Sequence, residues 1–122
     1  MKRSEIREEA VKKLYSYFIS SEVDRNYEEA YIKELVEGVI LKEDELKKIA
    51  NSYLKEGWDI DRLSLVDKAI IYVALYELKY TSLPYKVVID EALNLSKKYS
   101  DEKIKDMINA VLDSYYKDNN GR

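Results

Sequence analysis

Three cationic side chains stand at the start of the chain, where their type and spacing suit the binding of phosphate groups. Lys2, Arg3 and Arg7 precede or open the first amphipathic segment. Residues four apart share a face of a helix, so Arg3 and Arg7 are expected to project together. Lysine and arginine are the side chains that neutralise the phosphates of a nucleic acid. The alternative is a solvated helix face, which is the usual meaning of a charge run.

The sequence lacks the residues on which most catalytic and metal sites depend. It contains no cysteine and no histidine, which excludes disulfides and thiolate or imidazole metal sites. The same absence excludes cysteine or histidine nucleophiles and histidine bases. A Gly-rich phosphate loop and a G-x-S-x-G elbow are also missing. Any remaining enzymatic chemistry would need paired carboxylates, lysine or serine.

Length and composition predict one helical domain. The 122 residues are 46% hydrophobic and 37% charged, with three glycines and one proline. No apolar run is long enough for a membrane span, and the charged N-terminus does not resemble a signal peptide, so we expect a cytoplasmic protein. The net charge of −3 is uneven. Basic segments at residues 1–20 and 96–105 flank an acidic middle.

Hydrophobic periodicity predicts six helices. In the first, Ile6, Ala10, Leu14 and Phe18 recur every four residues, which is typical of an amphipathic helix. The fourth is apolar nearly all round and should lie in the middle of a bundle. A short turn near Asp59 or Asp61 is also expected. The predicted helices cover residues 4–20, 27–41, 43–55 with Gly57 as a left-handed cap, 65–79 after a Ser64 cap, 85–99, and a last helix from about 101 after a Ser100 cap.

The single proline predicts a sharp corner. Pro84 has no N–H and disfavours helical geometry at the preceding residue. The buried fourth helix must therefore stop by about Tyr80, and the fifth must restart in a new direction and lie across it. Lys86 then sits in the first turn of the fifth helix. Gly38, inside the second helix, indicates a close helix crossing, because glycine there costs about 1 kcal/mol against alanine.

Several segments resemble one known family. LSLVDKAII, ALYEL, LPYKVVIDEAL, KKY and INAVLD follow one another in residues 63–113, and REEAVKKLYSY lies in the first helix. Together they resemble the NusB family of bacterial transcription antitermination factors. The resemblance is convincing over residues 54–113, good over 6–18 and weak over 20–50.

This resemblance implies a fold and a function. The fold would be all-α, with two small helical bundles packed across each other and six to seven helices. The N-terminal bundle would cover about 1–57 and the C-terminal bundle about 58–122. The function would be non-enzymatic: binding the boxA element of nascent RNA with the ribosomal protein NusE, and joining the elongating RNA polymerase to suppress termination. No cofactor is implied.

The resemblance also implies an RNA-binding set. In the family, an arginine-rich N-terminus and residues of the last helix contact RNA, and unstacked single-stranded bases are the usual target of sequence-specific reading. Met107 stands where the family often has phenylalanine, so a possible base-stacking ring is lost, and core packing is the alternative role for Met107. The predicted RNA-binding residues are Lys2, Arg3, Arg7, Lys86, Met107 and Asn109.

Two residues match the family's NusE contacts, Tyr15 and Asp67. Tyr15 falls beside a core position of the first helix and can lie at the edge of the packed face. Asp67 is a carboxylate on the mostly apolar fourth helix. It can bind the partner, or it can pair with Lys68 or with a neighbouring helix. Glu77 is a second isolated acid on that helix, for which we expect a structural hydrogen bond.

Other functions stay open at this level. The acidic pI of about 5.2 and the diluted N-terminal cluster are compatible with a helical protein-interaction module that has little RNA affinity. A NusB-like module of an RNA cytosine methyltransferase would require a catalytic cysteine and a cofactor-binding α/β domain, which these 122 residues do not contain. Homodimerisation is also possible, because some members of the family dimerise.

Overall fold

The computed structural model describes residues 1–119, which form six α-helices joined by short loops and one 3-10 turn. This architecture confirms the all-α prediction and the predicted number of helices. No helix among these residues is long and apolar enough to cross a membrane. The elements are α1 (Arg3–Ser20), α2 (Ala30–Leu41), α3 (Glu43–Tyr53), the 3-10 turn (Ile60–Arg62), α4 (Leu65–Tyr80), α5 (Tyr85–Tyr99) and α6 (Glu102–Asn119).

Helix α4 forms the centre of the molecule, as its apolar sequence predicts. It packs against each of the other five α-helices. Burying one large aliphatic side chain in this way contributes roughly 1.5–3 kcal/mol. The predicted Ser64 cap is confirmed, because the Asp67 backbone N–H donates to Ser64 Oγ at 3.1 Å. The buried side chains of α4 are Asp67, Ala69, Ile70, Ile71, Tyr72, Val73, Ala74, Leu75 and Glu77.

The proposed division into bundles of residues 1–57 and 58–122 stays a prediction. Helix α4 contacts helices on both sides of that boundary, and α3 packs against α6 as well as against α4. Buried apolar residues of all six helices belong to one hydrophobic cluster. A change in the core of one half is therefore expected to reach the other.

The corner at Pro84 has the predicted form. Helix α4 ends at Tyr80 and α5 begins at Tyr85, directly after the proline. Between them the Thr81 hydroxyl donates to the Glu77 carbonyl at 2.7 Å and accepts from the Leu83 N–H at 3.4 Å. These bonds satisfy polar groups that the end of α4 would otherwise leave unpaired. The loop is thereby held in one shape, and α5 lies against α4.

Gly38 marks the close helix crossing that the sequence predicts. A Cβ atom at this position would lie 2.6 Å from the hydroxyl oxygen of Tyr76, with ring carbons closer still. Glycine is therefore required by the approach of the Tyr76 ring from α4. Its φ is not in the left-handed region, so the reason is space and not backbone conformation.

Three local predictions were wrong. Helix α2 begins at Ala30 and not near Tyr27, because Glu29 is extended and the Tyr27 ring packs against the core. Ser100 does not cap α6; Asp101 does, accepting from the Ile104 N–H at 2.9 Å, while the Ser100 hydroxyl donates to Asp67. Gly57 has the expected positive φ of 89°, but α3 has already ended at Tyr53.

Candidate nucleic-acid and partner surfaces

Two adjoining clefts meet at the Pro84 corner. One has a volume of about 780 Å³ and lies between the start of α1 and the α4–α5 loop. The other, of about 460 Å³, lies on the far side of that loop, against α5 and α6. Both are lined by Thr81, Ser82 and Leu83. We call the two clefts together the corner groove.

Predicted cations stand at both ends of the corner groove. Arg3 lines the first cleft and Lys86 lines the second. Lys2 precedes Arg3, and all three side chains are exposed. Within residues 1–119, none of the three side chains takes part in an ion pair. Arg3 and Lys86 thus line adjoining clefts, and Lys2 precedes Arg3. Among residues 1–119, Glu34 is the acidic residue that lines the first cleft.

Arg7 does not belong to this exposed set, which revises the prediction for it. Its side chain is only 2% exposed. The guanidinium donates from Nε to Glu77 Oε1 at 2.9 Å and from Nη2 to Glu77 Oε2 at 2.7 Å. A third donor, Nη1, reaches the Arg3 carbonyl at 3.3 Å. Because the guanidinium is buried and its charge is paired with Glu77, Arg7 is not exposed to a phosphate in this arrangement, and its bond to the Arg3 carbonyl ties it to the turn that carries Arg3.

The structural hydrogen bond expected for Glu77 is confirmed. Besides the two bonds from Arg7, Glu77 Oε2 accepts from the Tyr31 hydroxyl at 2.6 Å. Burial first, and then the Glu77 carboxylate, raise the pKa of the Tyr31 hydroxyl far above its ordinary value, so Tyr31 remains a donor. The cluster joins α1, α2 and α4 directly beneath the corner groove, and both Arg7 and Tyr31 line the groove's wall.

An aromatic pair closes the α5–α6 end of the corner groove. Tyr85 and Tyr116 stack with their ring centroids 3.8 Å apart and their planes at 11°. Both are half-buried. This pair was not predicted from the sequence; the signal available was the position of Tyr85 directly after Pro84. Asn109 is exposed and lies about two turns before Tyr116 on the same face of α6.

Met107 lies on a different surface. It is nearly opposite Asn109 around α6, since two residues turn a helix by about 200°. Its side chain is half-buried and packs against the core, as the alternative interpretation proposed. It also lines a separate cleft of about 350 Å³ between α3 and α6, together with Tyr53, Trp58 and Lys103. We call this the α3–α6 cleft. The structure therefore separates Met107 from the other predicted RNA-binding residues.

The two predicted partner-binding residues have different surroundings. Tyr15 is 40% exposed on α1, and Ile19, one turn further, is 62% exposed. Asp67 is only 6% exposed and accepts a hydrogen bond from the Ser100 hydroxyl. Pairing with a neighbouring helix is thus the contact that Asp67 makes within the chain. Tyr15 and Ile19 form an exposed apolar surface, of which Ile19 was not predicted from the sequence.

No group of three or more acidic residues within residues 1–119 is arranged to hold a metal ion. The described surface offers a cation-flanked groove at a helical corner and an exposed apolar patch on α1. These features define the class of the protein: an all-helical domain with an open groove at a helical corner and a separate exposed apolar patch.

The family follows from comparison with known proteins. The NusB family model matches residues 4–117, so the chain belongs to the NusB family. This is a non-enzymatic family of transcription antitermination proteins.

Two relatives illustrate the range of similarity. The transcription antitermination protein NusB of Macrococcus caseolyticus is 37% identical over 96% of this chain and 98% of its own length. That of Pediococcus pentosaceus is 42% identical, over 71% of this chain and 65% of its own length. The chain thus matches slightly less than two thirds of the second relative.

Solved structures agree on the fold. NusB from T. maritima superposes with a TM-score of 0.81 at 28% identity, covering 96% of this chain and 92% of that one. A crystal structure of antitermination factors NusB and NusE in complex with dsRNA matches with a TM-score of 0.81 at 27% identity, covering 95% and 96%. The six-helix arrangement is therefore the NusB fold.

Proposed function

We propose that this protein binds boxA-type single-stranded RNA together with the ribosomal protein NusE. The assembly joins the elongating RNA polymerase in the cytoplasm and suppresses termination. The observation that carries the proposal is the corner groove, with Arg3 and Lys86 at its two ends, neither in an ion pair within residues 1–119. A related structure, of antitermination factors NusB and NusE in complex with dsRNA, supports RNA and NusE as the partners; that the RNA is single-stranded is part of the proposal.

The chemistry of the corner groove suits a sugar–phosphate chain. Arg3 at one end and Lys86 at the other offer charge to phosphates, and Lys2 adds a third cation beside Arg3. Between them, the exposed Ser82 lines the loop with a hydroxyl able to donate to phosphate or ribose oxygens. Arg7 acts indirectly, because its hydrogen bond to the Arg3 carbonyl fixes the first turn of α1.

Bases would be read around the α5–α6 end. Asn109 is exposed, and its amide can both donate to and accept from a base edge. The stacked pair of Tyr85 and Tyr116 supplies aromatic surface beside Lys86. Single-stranded RNA is recognised in this way, by stacking on aromatic rings and by hydrogen bonds to unpaired base edges. Met107 joins this set only if the strand reaches the α3–α6 cleft.

NusE would dock on the exposed face of α1. Tyr15 and Ile19 present neighbouring apolar side chains that no element within residues 1–119 buries. Tyrosine is enriched at protein interfaces because it offers a large apolar body with a polar end. Asp67 can contribute a carboxylate oxygen to this interface. Its hydrogen bond from the Ser100 hydroxyl gives it an equally direct role in positioning the end of α5.

One observation favours the second candidate function, a protein-interaction module with little RNA affinity of its own. Burial of Arg7 removes one cation from the N-terminal cluster, on a chain whose net charge is −3. Fewer phosphate contacts mean weaker binding by the isolated chain. A homodimer is compatible with either function, and sedimentation of the purified protein tests it.

A titration separates the two functions. Labelled boxA RNA and a scrambled RNA of equal length are titrated with the protein, with and without NusE, over a series of salt concentrations. We expect tighter binding of boxA when NusE is present, with affinity falling steeply as salt rises. If neither RNA binds at low salt even with NusE, while NusE itself is captured, the interaction module is correct.

A further inference from the structure

The loop at the Pro84 corner carries one hydroxyl group that the fold leaves free. Ser82 is exposed and lies outside any helix, between α4 and α5. Within residues 1–119 its side chain makes no hydrogen bond. The neighbouring Thr81 hydroxyl is half-buried and donates to the Glu77 carbonyl at 2.7 Å. The hydroxyl group of this loop that an enzyme could reach is therefore that of Ser82.

Ser82 occupies the middle of the corner groove. It lines the first cleft together with Arg3 and the second cleft together with Lys86. Within residues 1–119 neither cation takes part in an ion pair. Glu34 is the acidic residue on the wall of the first cleft, and Lys86 is the one charged residue among the described residues that line the second. The unpaired charge around the Ser82 hydroxyl is thus positive overall.

The start of α5 adds to this preference for an anion. Ser82 precedes Pro84, the N-cap of α5, by two residues, and among the described residues Pro84 makes no side-chain cap hydrogen bond. The first N–H groups of a helix lack intrahelical partners and form the positive end of its dipole. Helix α5 has 15 residues, so a negative group on Ser82 would be stabilised by a well-formed helix.

The backbone around Ser82 suits an enzyme that modifies exposed segments. Residues 82–84 are neither helical nor in a strand, and Pro84 disfavours helical geometry at Leu83. Exposed loops of this kind can be bound by a second protein without unfolding of the domain. Ser82 is therefore accessible to such an enzyme in the folded protein.

We propose that Ser82 is a phosphorylation site, and that its phosphate occupies the corner groove between Arg3 and Lys86 and excludes RNA. This inference rests on the proposed function. The phosphoryl donor is ATP bound to a protein serine/threonine kinase. The Ser82 oxygen attacks the γ-phosphorus and a new O–P bond forms. The bond to the β,γ-bridging oxygen breaks, ADP leaves, and the hydroxyl proton passes to a base of the kinase.

A phosphate on Ser82 competes with RNA for the same cations. It brings a charge of about −1.5 to −2 and three acceptor oxygens. Because it is held at the groove by a covalent bond, its effective concentration there is far higher than that of an RNA phosphate. Arg3 and Lys86 would be neutralised, and the added charge would repel an approaching strand. Tyr15 does not line the groove, so the affinity for NusE should not change.

The first experiment locates the phosphate. Phosphoserine is incorporated at position 82 of the full chain by codon suppression, and at position 114 as the control, because Ser114 is exposed and does not line the corner groove. Phosphorus NMR follows the titration of each phosphate. Nearby cations favour the dianion, so the second pKa should be lower at Ser82 than at Ser114, and Lys86→Gln should raise it. Equal pKa values, unaffected by Lys86→Gln, would overturn the proposal.

The second experiment measures RNA binding. The unmodified protein and both phosphorylated proteins are titrated with boxA RNA in the presence of NusE over a salt series. Phosphorylation of Ser82 should weaken binding roughly tenfold or more and make the slope of log affinity against log salt shallower by about 1.4, because two phosphate contacts are lost. A phosphatase should restore the parent affinity. Phosphate on Ser114 should have little effect, and Ser82→Ala should weaken binding by no more than about fivefold, the typical loss for one hydrogen bond.

Mass spectrometry tests whether cells use the site. Trypsin releases residues 80–86 as the peptide YTSLPYK, and fragmentation locates the phosphate within it. We expect phosphate on Ser82 in protein isolated from growing or from starved cells. Its absence from both, in samples in which phosphopeptides of other proteins are detected, would overturn the proposal.

Failure of this inference is distinguishable from failure of the proposed function. If the unmodified protein binds boxA RNA, and phosphate on Ser82 weakens this binding no more than phosphate on Ser114, the inference is wrong while the proposed function stands. If the unmodified protein binds no RNA even with NusE, the proposed function fails and this inference fails with it.

Discussion

The guanidinium of Arg7 and the carboxylate of Glu77 face each other in a bidentate pair, with both side chains at most 2% exposed. The two residues lie on α1 and α4, far apart in the chain. Pairing satisfies both charges, which a buried ion requires. The pair ties the N-terminal turn, with its exposed cations, to the central helix.

Breaking this ion pair should chiefly lower the free energy of unfolding, and any loss of RNA affinity should follow from that loss of stability. Arg7→Ala leaves Glu77 buried with only Tyr31 as a hydroxyl donor, and removal of one member of a buried ion pair costs roughly 3–5 kcal/mol. Arg3→Ala, one turn earlier and exposed, should leave stability unchanged. Urea unfolding of both variants measures this. Equal stability of Arg7→Ala and the parent protein would contradict the buried role.

Gly38 and Tyr76 should show strong energetic coupling. Gly38→Ala gains about 1 kcal/mol of helix propensity but forces the Tyr76 ring to move, and overpacking typically costs about 1–3 kcal/mol. We expect net destabilisation in the parent protein. In a Tyr76→Ala background the same change should stabilise. A double-mutant cycle by urea unfolding tests the sign change, and additive effects would mean that the ring can yield freely.

Glu8 should make a pH-dependent contribution to stability. The hydrogen bond from Lys98, at 2.7 Å, and that from Tyr99 lower the pKa of the Glu8 carboxyl below its ordinary value. A lowered pKa in the folded state means that the contribution is complete above the unfolded-state value and disappears as pH falls through the folded-state value.

The matched pair for this prediction is Glu8→Gln and Glu9→Gln. Melting temperatures recorded from neutral pH down to about pH 3 should converge for the parent and Glu8→Gln as acid removes the bond. Glu9, which forms an exposed ion pair with Lys12, should show little difference at any pH. A gap between the parent and Glu8→Gln that persists at the lowest pH would contradict the prediction.

The apolar surface on α1 should bind NusE. Tyr15→Ala and Ile19→Ser remove apolar contact area without touching the core, since both side chains are exposed. Each should weaken NusE binding about tenfold or more if it is central to the interface. Leu41→Ser, on α2 with 79% exposure, is the control. Calorimetric titration measures the affinity of each variant for NusE. Equal affinities for all three variants would place the interface elsewhere.

Helix positions could be predicted from the sequence where local signals agree. The apolar run of α4 and the Pro84 corner predict a helix over residues 85–99, and the structure has α5 at Tyr85–Tyr99. The start of α2 could not be predicted in this way. There the Tyr27 ring packs against the core, and Lys13 holds the preceding loop through Asp24 and the Asn26 carbonyl. These are tertiary contacts with no local pattern.

The candidate site was only partly predictable for a similar reason. Lys2, Arg3 and Lys86 are exposed, as their types suggest, but their meeting at one groove depends on how α5 crosses α4. Arg7 was predicted to contact RNA because of its charge, its spacing of four from Arg3 and the family resemblance. Its register was the available signal, since Arg7, Ala10, Val11 and Leu14 are the buried residues of α1 and follow helical spacing. Its partner on α4 could not be seen from the sequence.

The central claim is that the cations of the corner groove capture RNA. The most direct measurement compares two triple variants in complex with NusE, each titrated with boxA RNA over a salt series. One replaces Lys2, Arg3 and Lys86 with glutamine. The other replaces Lys33, Lys48 and Lys97, which are exposed and do not line the corner groove.

Both variants change the net charge equally, so only the position of the lost charges differs. The account predicts that the groove variant binds RNA much more weakly, with a slope of log affinity against log salt shallower by about 2. The control should keep the affinity and slope of the parent protein. Equal RNA affinity and equal salt dependence for the two variants would contradict the account.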